Sequence, residues 1–410
     1  MKSLYVFLLE AMVNEGGAAG HMAHPIDYIE FTANDLKQLI SDLFLGKIED
    51  ITEKIDGTNI QATMNHNGEV VFIRNNGDLN SDKGGMSIED MAVKWADKPN
   101  VAQTFIKAGE IIKIVFDKIG KKFFNPDPET RRIVNCECVK EGVTNIIPYA
   151  SSQVAFHDIW IYKLDNGKWV KNDVTKAGLD KLEKACENID NAKPTPKVII
   201  NLVDDANDLI DKYHKMIDDL FDNDMDISIN DWKYKKFEQL LDSKWSWIKE
   251  DKQGMTILFD RWFNCNKKVN IRELKKMYVD HVDEINTIEK SSLYKEVTDE
   301  ITEPLETIFL KLGNDIMKLC KGLLNGAKND KVVSQLQKDM QDVIKDVQSN
   351  GSPETQAKLI KQLKRLERLG GDSSINPAEG IVFKYKDKLM KLTGSFAPIN
   401  QVLGSIKFAK

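Results

Sequence analysis

The sequence has few cysteines, and they form no pattern that a disulfide framework requires. Its 410 residues contain five of them, an odd number scattered along the chain: Cys136, Cys138, Cys186, Cys265 and Cys320. This usage argues against a secreted, disulfide-stapled protein and favours a reducing, cytoplasmic location. Cys136 and Cys138 have no second cysteine pair, so we expect no zinc site.

Long apolar runs are also lacking, and none is long enough to span a membrane. The segment from Leu4 to Val13 resembles a short signal-peptide core behind Lys2. Glu10 interrupts it, and no cleavage site precedes the polar residues 14–17. We therefore expect no secretion and no membrane partner.

Positive charge is not in excess, since the formal net charge is −6. A nucleic-acid partner would have to be held by a local basic groove and not by the field of the whole protein. Hydrophobic residues make up 41% of the chain and charged residues 30%, which is typical of a soluble protein with a core. The length predicts two or three domains and leaves the oligomeric state open.

The segment Glu53-Lys-Ile-Asp-Gly-Thr-Asn59 has a lysine two residues before an Asp-Gly pair. Alternating residues on both sides predict a strand, a tight turn and a second strand. The Lys54 amine can form a covalent intermediate if burial or another cation lowers its pKa. Asp56 would then contact a substrate hydroxyl or a metal, and Gly57 would allow close backbone approach. An ordinary surface turn has the same pattern.

Further strands follow, and a long helical segment interrupts them. Alternation and turn residues predict strands over residues 59–64, 69–74, 132–139, 153–162, 168–170, 379–384 and 389–394. Residues 75–85 are predicted to form a mobile loop, and residues 88–122 a helix. Residues 171–370 show repeated helical spacing that indicates about seven helices. We predict one strand-rich domain, residues 1–170 and 371–410, with residues 171–370 as a helical insertion.

Tryptophans in the predicted insertion lie among lysines. Trp232, Trp245, Trp247 and Trp262 are the aromatic residues concerned. Aromatic rings between basic residues can stack on unpaired nucleotides. The same pattern is produced by core anchors with lysines on the wet face, and the sequence does not separate the two.

Five elements in order resemble the covalent nucleotidyltransferases, the superfamily of ATP-dependent DNA and RNA ligases and capping enzymes. The matching elements are Lys54-Ile-Asp-Gly57, Asn135-Cys-Glu137, Phe156-His-Asp-Ile159, Glu379-Gly-Ile-Val-Phe-Lys384 and Met390-Lys391-Leu392. Residues 53–59, with Arg74 downstream, resemble most the phage-type RNA ligases that seal nicks. The resemblance implies an α+β fold: an antiparallel-sheet, ATP-grasp-like nucleotidyltransferase (ligase) domain with a large all-helical insertion.

The resemblance also implies a function, cofactors and partners. Lys54 would attack ATP and carry AMP, which passes to a 5′-phosphate before a 3′-hydroxyl attacks; the partner is RNA or DNA with such ends. By the same resemblance, Glu137 and Glu379 would hold Mg²⁺, and Lys391 with Lys384 would bind the α-phosphate. Phe156 would stack on the adenine, and Glu53 would help to select adenine. Asn59 and Arg74 would act in sealing.

Two departures from the family pattern keep other interpretations open. Thr393 stands where a second lysine is usual, and the chain continues for only a short segment after Gly394. Glu137 alone is equally compatible with a wet strand face, Phe156 with the core, and Lys384 and Lys391 with a strand edge. A DNA ligase, another nucleotidyltransferase, or a non-catalytic binding protein on a degenerate ligase scaffold are the alternatives.

Overall fold

The computed structural model describes residues 22–141, 146–149, 151–175, 177–189, 191–244, 251–260, 263, 271–286, 293–326 and 329–407. The segment from Leu4 to Val13 lies outside these residues. The described chain is a mixed α+β structure with antiparallel sheets and many helices. None of its helices combines the length and the apolar character that crossing a membrane requires.

The described strands are β1 (Thr52–Lys54), β2 (Thr58–Met64), β3 (Val70–Ile73), β4 (Thr130–Val139), β5 (Gln153–Asp165), β6 (Lys168–Thr175), β7 (Ala192–Pro194), β8 (Ile199–Ile200), β9 (Cys320–Lys321), β10 (Gly380–Tyr385) and β11 (Lys388–Thr393). The described helices are α1 (Ala33–Phe44), α2 (Asn76–Leu79), α3 (Ile88–Lys94), α4 (Pro99–Ile119), α5 (Lys121–Phe124), α6 (Leu179–Cys186), α7 (Ala206–Leu220), α8 (Ile229–Lys244), α9 (Lys252–Phe259), α10 (Ile271–Met277), α11 (Val282–Asn286), α12 (Leu293–Leu319), α13 (Asp330–Asn350), α14 (Pro353–Leu369) and α15 (Phe396–Lys407).

The chain divides into two compact units. One unit, which we call the helical unit, contains Ala23–Lys47 and Leu202–Leu312. The other, the sheet unit, contains Ile48–Asn201 and the chain from Gly313 onward. These boundaries differ from the predicted ones at residues 170 and 371. Strands β7 to β9 and helices α13 to α15 belong to the sheet unit although most of them fall in the segment predicted as a helical insertion.

Local sequence explains how the helical unit begins. Helix α1 starts after Thr32, whose hydroxyl accepts a hydrogen bond from the Asp35 backbone N–H at 3.1 Å. The Asp35 carboxylate accepts from the Thr32 N–H at 3.0 Å, which completes a capping box. Trp232 of α8 is 1% exposed and packs against Phe221, so this tryptophan is a core anchor. Trp245, Trp247 and Trp262 lie outside the described residues.

Three sheets form the frame of the sheet unit. A three-stranded antiparallel sheet has the order β1-β10-β11, and β8 pairs with β9. The third sheet runs β3-β2-β4-β5-β6, and β7 joins it in parallel with β5. The predicted strands at residues 59–64, 69–74, 132–139, 153–162, 379–384 and 389–394 are confirmed, with shifted ends.

Turn chemistry fixes the register of two hairpins. The Asn65 side chain accepts from the N–H groups of Asn67 and Glu69 at 2.9 and 3.0 Å, and Gly68 adopts a φ of +86°. Lys386 and Asp387 both have positive φ, the conformation that a tight turn between β10 and β11 requires. Because one residue of slippage would exchange the two faces, these turns decide which side chains face the site.

The core lies on one face of the six-stranded sheet. Helix α4 packs Phe105, Ile112 and Phe116 against Cys136 and Phe156 of the strands. The single helix predicted over residues 88–122 is broken, because Pro99 starts a new helix after α3 ends. A second cluster joins residues near β1 to α13, α14 and α15, including Ile55, Val139, Leu336, Leu366 and Ile399.

Candidate active site

Lys54 ends β1, where it pairs with Gly380 of β10. Its Nζ lies 3.2 Å from Oε2 of Glu379, a residue 325 positions away in sequence, and 3.3 Å from the carbonyl oxygen of Ile55. The Lys54 side chain is 29% exposed and that of Glu379 10%. The amine is therefore fixed against a buried carboxylate and still reachable from solvent.

A second carboxylate reaches the same place from the six-stranded sheet. Asn59 of β2 lies opposite Glu137 of β4, and its Nδ2 donates to Glu137 Oε2 at 3.3 Å. The same Nδ2 donates to Asn135 Oδ1 at 2.9 Å. Cys136 and Cys138 are in the core, so Glu137 faces away from it, as the strand alternation predicts.

The charge on Lys54 is stabilised by its neighbours. Burial lowers the pKa of Lys54, but the negative charges of Glu379 and Glu137 outweigh burial, so the pKa is raised. A nucleophilic lysine needs a lowered pKa. In this state the residue is instead an ammonium ion held between carboxylates.

Both carboxylates hold a proton more readily than usual. Burial raises the pKa of Glu137 to about 7, against the opposing effects of the Lys54 charge and the Asn59 hydrogen bond. Burial likewise raises the pKa of Glu379, although Lys54 opposes it. Both carboxyl groups therefore keep a proton to a higher pH than a glutamate in water does.

Asp56 has a different position from the one expected. Its Oδ2 accepts the backbone N–H groups of Ile146 and Ile147 at 2.6 and 2.7 Å. Its own N–H donates to the hydroxyl oxygen of Tyr149 at 2.9 Å. This carboxylate oxygen is occupied by the protein, so Asp56 fixes the turn after Lys54 and the segment around residue 147.

Gly57 brings two strands together. A Cβ at this position would lie 2.8 Å from the Cys138 carbonyl oxygen and 2.8 Å from Cγ of Glu137. The close approach predicted for Gly57 is thus toward β4. Any larger residue would displace Glu137 or the turn that follows Lys54.

Arg74 adjoins Asn59, its predicted partner in function. The Arg74 Nη1 donates to the carbonyl oxygen of Asn59. The guanidinium lies 5.5 Å from the ring centroid of Phe105, and the Arg74 N–H donates to Asp78 at 3.0 Å. The structure therefore joins Arg74 and Asn59 through the backbone of β2.

Phe156 does not face Lys54. It is 1% exposed, belongs to the same cluster as Cys136, and its ring centroid lies 6.4 Å from that of Phe116. Stacking on adenine would require this part of the core to open. The expected role is therefore corrected: in this structure Phe156 is a core residue, the alternative that the sequence left open.

His157 is the ring that faces the site, and sequence reasoning gave it no role. The Thr195 hydroxyl donates to the Phe156 carbonyl oxygen at 2.9 Å and lies 2.6 Å from His157 Nδ1. Nδ1 is then the donor, and Nε2, 4.0 Å from Glu137 Oε2, keeps its lone pair. Burial, and then the Lys54 charge, lowers the pKa of His157 to about 4. A register shift between Asn135 and Cys136 brings His157 here.

Glu53 is buried on β1 beside Lys54. Its Oε2 accepts the Leu324 N–H at 2.6 Å, and Oε1 has no hydrogen-bond partner among the described residues. Burial raises the pKa of Glu53 to about 7.

The two predicted phosphate-binding lysines occupy different positions. Lys391 lies close enough to Glu379 for its positive charge to oppose the rise in the Glu379 pKa that burial causes. Lys384 is 62% exposed, pairs with Asp387 at 3.1 Å, and lies near the turn of the hairpin. Thr393 lies opposite Gly380, is 4% exposed, and its hydroxyl has no partner in the described structure. The structure therefore brings Lys391 to the site and not Lys384.

The acidic residues present fit a divalent cation that also binds a nucleotide. Among the described residues no group of three or more acidic, histidine or cysteine side chains is placed to hold a metal ion. Mg²⁺ in nucleotide sites commonly uses one or two carboxylates and takes its other ligands from phosphates and water. Glu137 and Glu379 supply that number.

Comparison of the sequence with protein-family models gives no match, and comparison with curated proteins gives none either. The chemistry of the site is therefore inferred from its residues and their geometry.

Proposed function

We propose that this protein is an ATP-dependent RNA ligase that works through a lysyl-AMP intermediate. The observation that carries the proposal is the meeting of Lys54, Glu137 and Glu379 at one amine. These residues come from three separate predicted elements, and Glu379 lies 3.2 Å from the Lys54 Nζ. The specific fold proposed is an antiparallel-sheet, ATP-grasp-like nucleotidyltransferase domain.

In the first step, the Lys54 ammonium gives up a proton to solvent, which reaches its 29% exposed side chain. The neutral amine attacks the α-phosphorus of ATP. A nitrogen–phosphorus bond forms, the bond to the bridging oxygen breaks, and pyrophosphate leaves with the electron pair. Alignment and charge neutralisation supply most of the rate, as in other phosphoryl transfers.

Other residues of the chain hold the substrates. Lys391 balances the charge of the α-phosphate, and Glu53 offers its unpaired oxygen to the adenine. Glu137 and Glu379 would hold Mg²⁺, which neutralises phosphate charge when bound. Asn59, fixed by Asn135 and Arg74, positions the 5′ end for sealing.

Intact mass measured after incubation with ATP and Mg²⁺ tests the proposal. We expect the wild type to gain the mass of one AMP and Lys54→Ala to gain none. Pyrophosphate treatment beforehand removes AMP already attached during expression. Transfer to a 5′-phosphorylated nicked RNA, compared with the same nick in DNA, then identifies the acceptor.

A binding protein on a degenerate ligase scaffold is the second candidate, and Thr393 favours it. A buried threonine replaces the second lysine that the resemblance leads one to expect. Absence of any AMP adduct on pyrophosphate-treated protein would support this candidate and would contradict the ligase proposal.

A further inference from the structure

A second site lies at the opposite end of β4 from Glu137, around Arg131. The two residues are six positions apart on one strand, so their Cα atoms are separated by roughly 20 Å. Both face the side of the sheet that points away from helix α4. Arg131 is nevertheless only 2% exposed, which is unusual for an arginine.

The Arg131 charge is not compensated by the protein. No carboxylate forms an ion pair with it among the described residues, and its Nε has no hydrogen-bond partner there. Nη1 reaches the carbonyl oxygen of Gly84 at 3.4 Å, a long contact. The guanidinium carbon lies 4.6 Å from the ring centroid of Trp169. A buried cation without a counter-charge is costly, so a bound anion would stabilise this arginine.

A cavity of about 850 Å³ opens beside this guanidinium. Arg131, Trp169, His66, Lys83 and Lys113 are among the residues that line it. Its acidic lining residues, Glu69, Asp82 and Glu89, are all exposed. Lys83 and Lys113 pair with Asp90 and Asp117. The lining thus carries three acidic and three basic side chains, and of these six only Arg131 is buried.

The loop above Arg131 is built to fit it closely. Gly84 and Gly85 have φ values of +68° and +146°, and a Cβ on Gly84 would lie 2.7 Å from Arg131 Nη1. Glycine is therefore required both by the backbone and by the guanidinium. The backbone N–H of Trp169 also donates to Oδ1 of Asn80, in the same loop, at 2.7 Å, and this bond links the loop to β6.

We propose that this cavity binds the phosphate group of an organic phosphate through Arg131. The planar fork of a guanidinium matches the geometry of phosphate oxygens, and the Nε–H, which is buried with the rest of the side chain, donates to no group of the described structure. The volume exceeds that of a lone ion and suits a small organic molecule. The indole of Trp169 and the imidazole of His66, with centroids 6.4 Å apart, provide apolar contact. The site does not depend on Lys54 chemistry.

Titration with inorganic phosphate at constant ionic strength tests this site, in a Lys54→Ala background that removes the nucleophile. We expect saturable binding that changes Trp169 fluorescence, and no such change in Trp169→Phe. Arg131→Gln should bind at least about tenfold more weakly, since a charge-assisted contact is lost. Arg132→Gln is the matched control: this neighbouring arginine donates to the Phe123 carbonyl oxygen at 3.0 Å, outside the cavity, and should bind within about twofold of the parent.

Arg131→Lys keeps the charge and serves if Arg131→Gln does not fold, as judged by circular dichroism; it should bind more weakly because the fork is lost. AMP and a trinucleotide RNA with either a 5′-phosphate or a 5′-hydroxyl then distinguish the sources of the phosphate. Competition by AMP indicates a free nucleotide, and competition by the phosphorylated RNA alone indicates a strand end. No saturable phosphate binding by the parent, or equal binding by its Arg131 and Arg132 variants, would overturn the proposal.

Discussion

At the scale of single residues, three buried glutamates share one electrostatic environment. Burial, and to a smaller extent the charge of Glu379, raises the pKa of both Glu53 and Glu137 to about 7. Lys54 opposes the shift at Glu137, whereas Glu53 is stabilised mainly by its bond to Leu324. Proton uptake at the site is therefore linked among neighbours and not set by one group.

The raised pKa of Glu53 makes the free energy of unfolding depend on pH. Its pKa is raised from 4.5 to about 7 in the folded protein. The folded state thus binds the proton more tightly, so this stabilisation is complete below pH 4.5 and is lost as the pH rises through about 7. The free energy of unfolding should fall by up to about 3 kcal/mol over this window because of Glu53. Glu53→Gln should flatten the profile and be more stable than the wild type at pH 8.

Urea unfolding followed at several pH values between 4.5 and 8 gives the comparison. Asp90→Asn is a suitable control, because Asp90 is on the surface and its pKa is lowered by hydrogen bonds to Ser87 and Lys83. Parallel profiles for the wild type and Glu53→Gln would contradict the prediction.

At the scale of elements, the register of the β10–β11 hairpin separates two lysines that look equivalent in sequence. Val382 lies opposite Lys391, and Lys384 lies opposite Leu389, one pair away from the turn residues. Lys54 pairs with Gly380. Lys384 is four residues further along the strand, or roughly 13 Å. Proximity to the amine therefore favours Lys391 as the phosphate ligand.

This register predicts unequal effects of two alanine variants. Lys391→Ala should slow formation of the AMP adduct by about 10²–10³-fold, because a charge aimed at the developing negative charge is lost. Lys384→Ala should stay within about twofold of the wild type, since its exposed pair with Asp387 contributes little. Single-turnover adduct formation followed by intact mass measures both. A larger effect from Lys384→Ala than from Lys391→Ala would contradict the assignment of Lys391 as the phosphate ligand.

At the scale of the whole molecule, the chain passes between the helical unit and the sheet unit after Lys47, after Asn201 and after Leu312. Asn201 is the last residue of the sheet unit before Leu202. It donates two hydrogen bonds to the carbonyl oxygen of Leu319, from its backbone N–H at 3.0 Å and from its Nδ2 at 2.8 Å. Ile199 and Ile200 pair with Lys321 and Cys320. Asn201 thus contacts the same helix, α12, in which the chain returns to the sheet unit at Gly313, and this favours excision of Leu202–Leu312.

Two deletions should therefore behave differently. A chain of residues 48–201 and 313–410 with a short Gly-Ser linker should fold and form the AMP adduct, because Asn201 is bonded to Leu319 of the helix that Gly313 enters. Deletion of residues 171–370 should abolish folding, because it removes α13 and α14 and with them Leu336 and Leu366 of the core. Loss of sealing with retained adduct in the first deletion would assign RNA handling to the helical unit. Circular dichroism and intact mass distinguish these outcomes, and a folded second deletion would refute the division into units.

Strand positions and turn residues were largely predictable, because their determinants are local. Alternation placed Glu137 on the face opposite Cys136, and the asparagine–glycine turn at residues 65–68 fixed the hairpin of β2 and β3. The position of Phe156 was not predictable. It depends on a register shift against β4, which alternation within one strand does not reveal.

The sequence by itself determined most strands of the two larger sheets, the order of the reactive elements and the choice of Lys54 as the candidate nucleophile. These follow from periodicity, turn chemistry and side-chain type, which act over a few residues. Only the tertiary structure decided that Glu379 meets Lys54, that His157 replaces Phe156 at the site, and that Arg131 is buried without a counter-charge. Burial and pairing between residues far apart in the chain depend on how strands and helices pack, and packing sums many contacts that no local pattern contains.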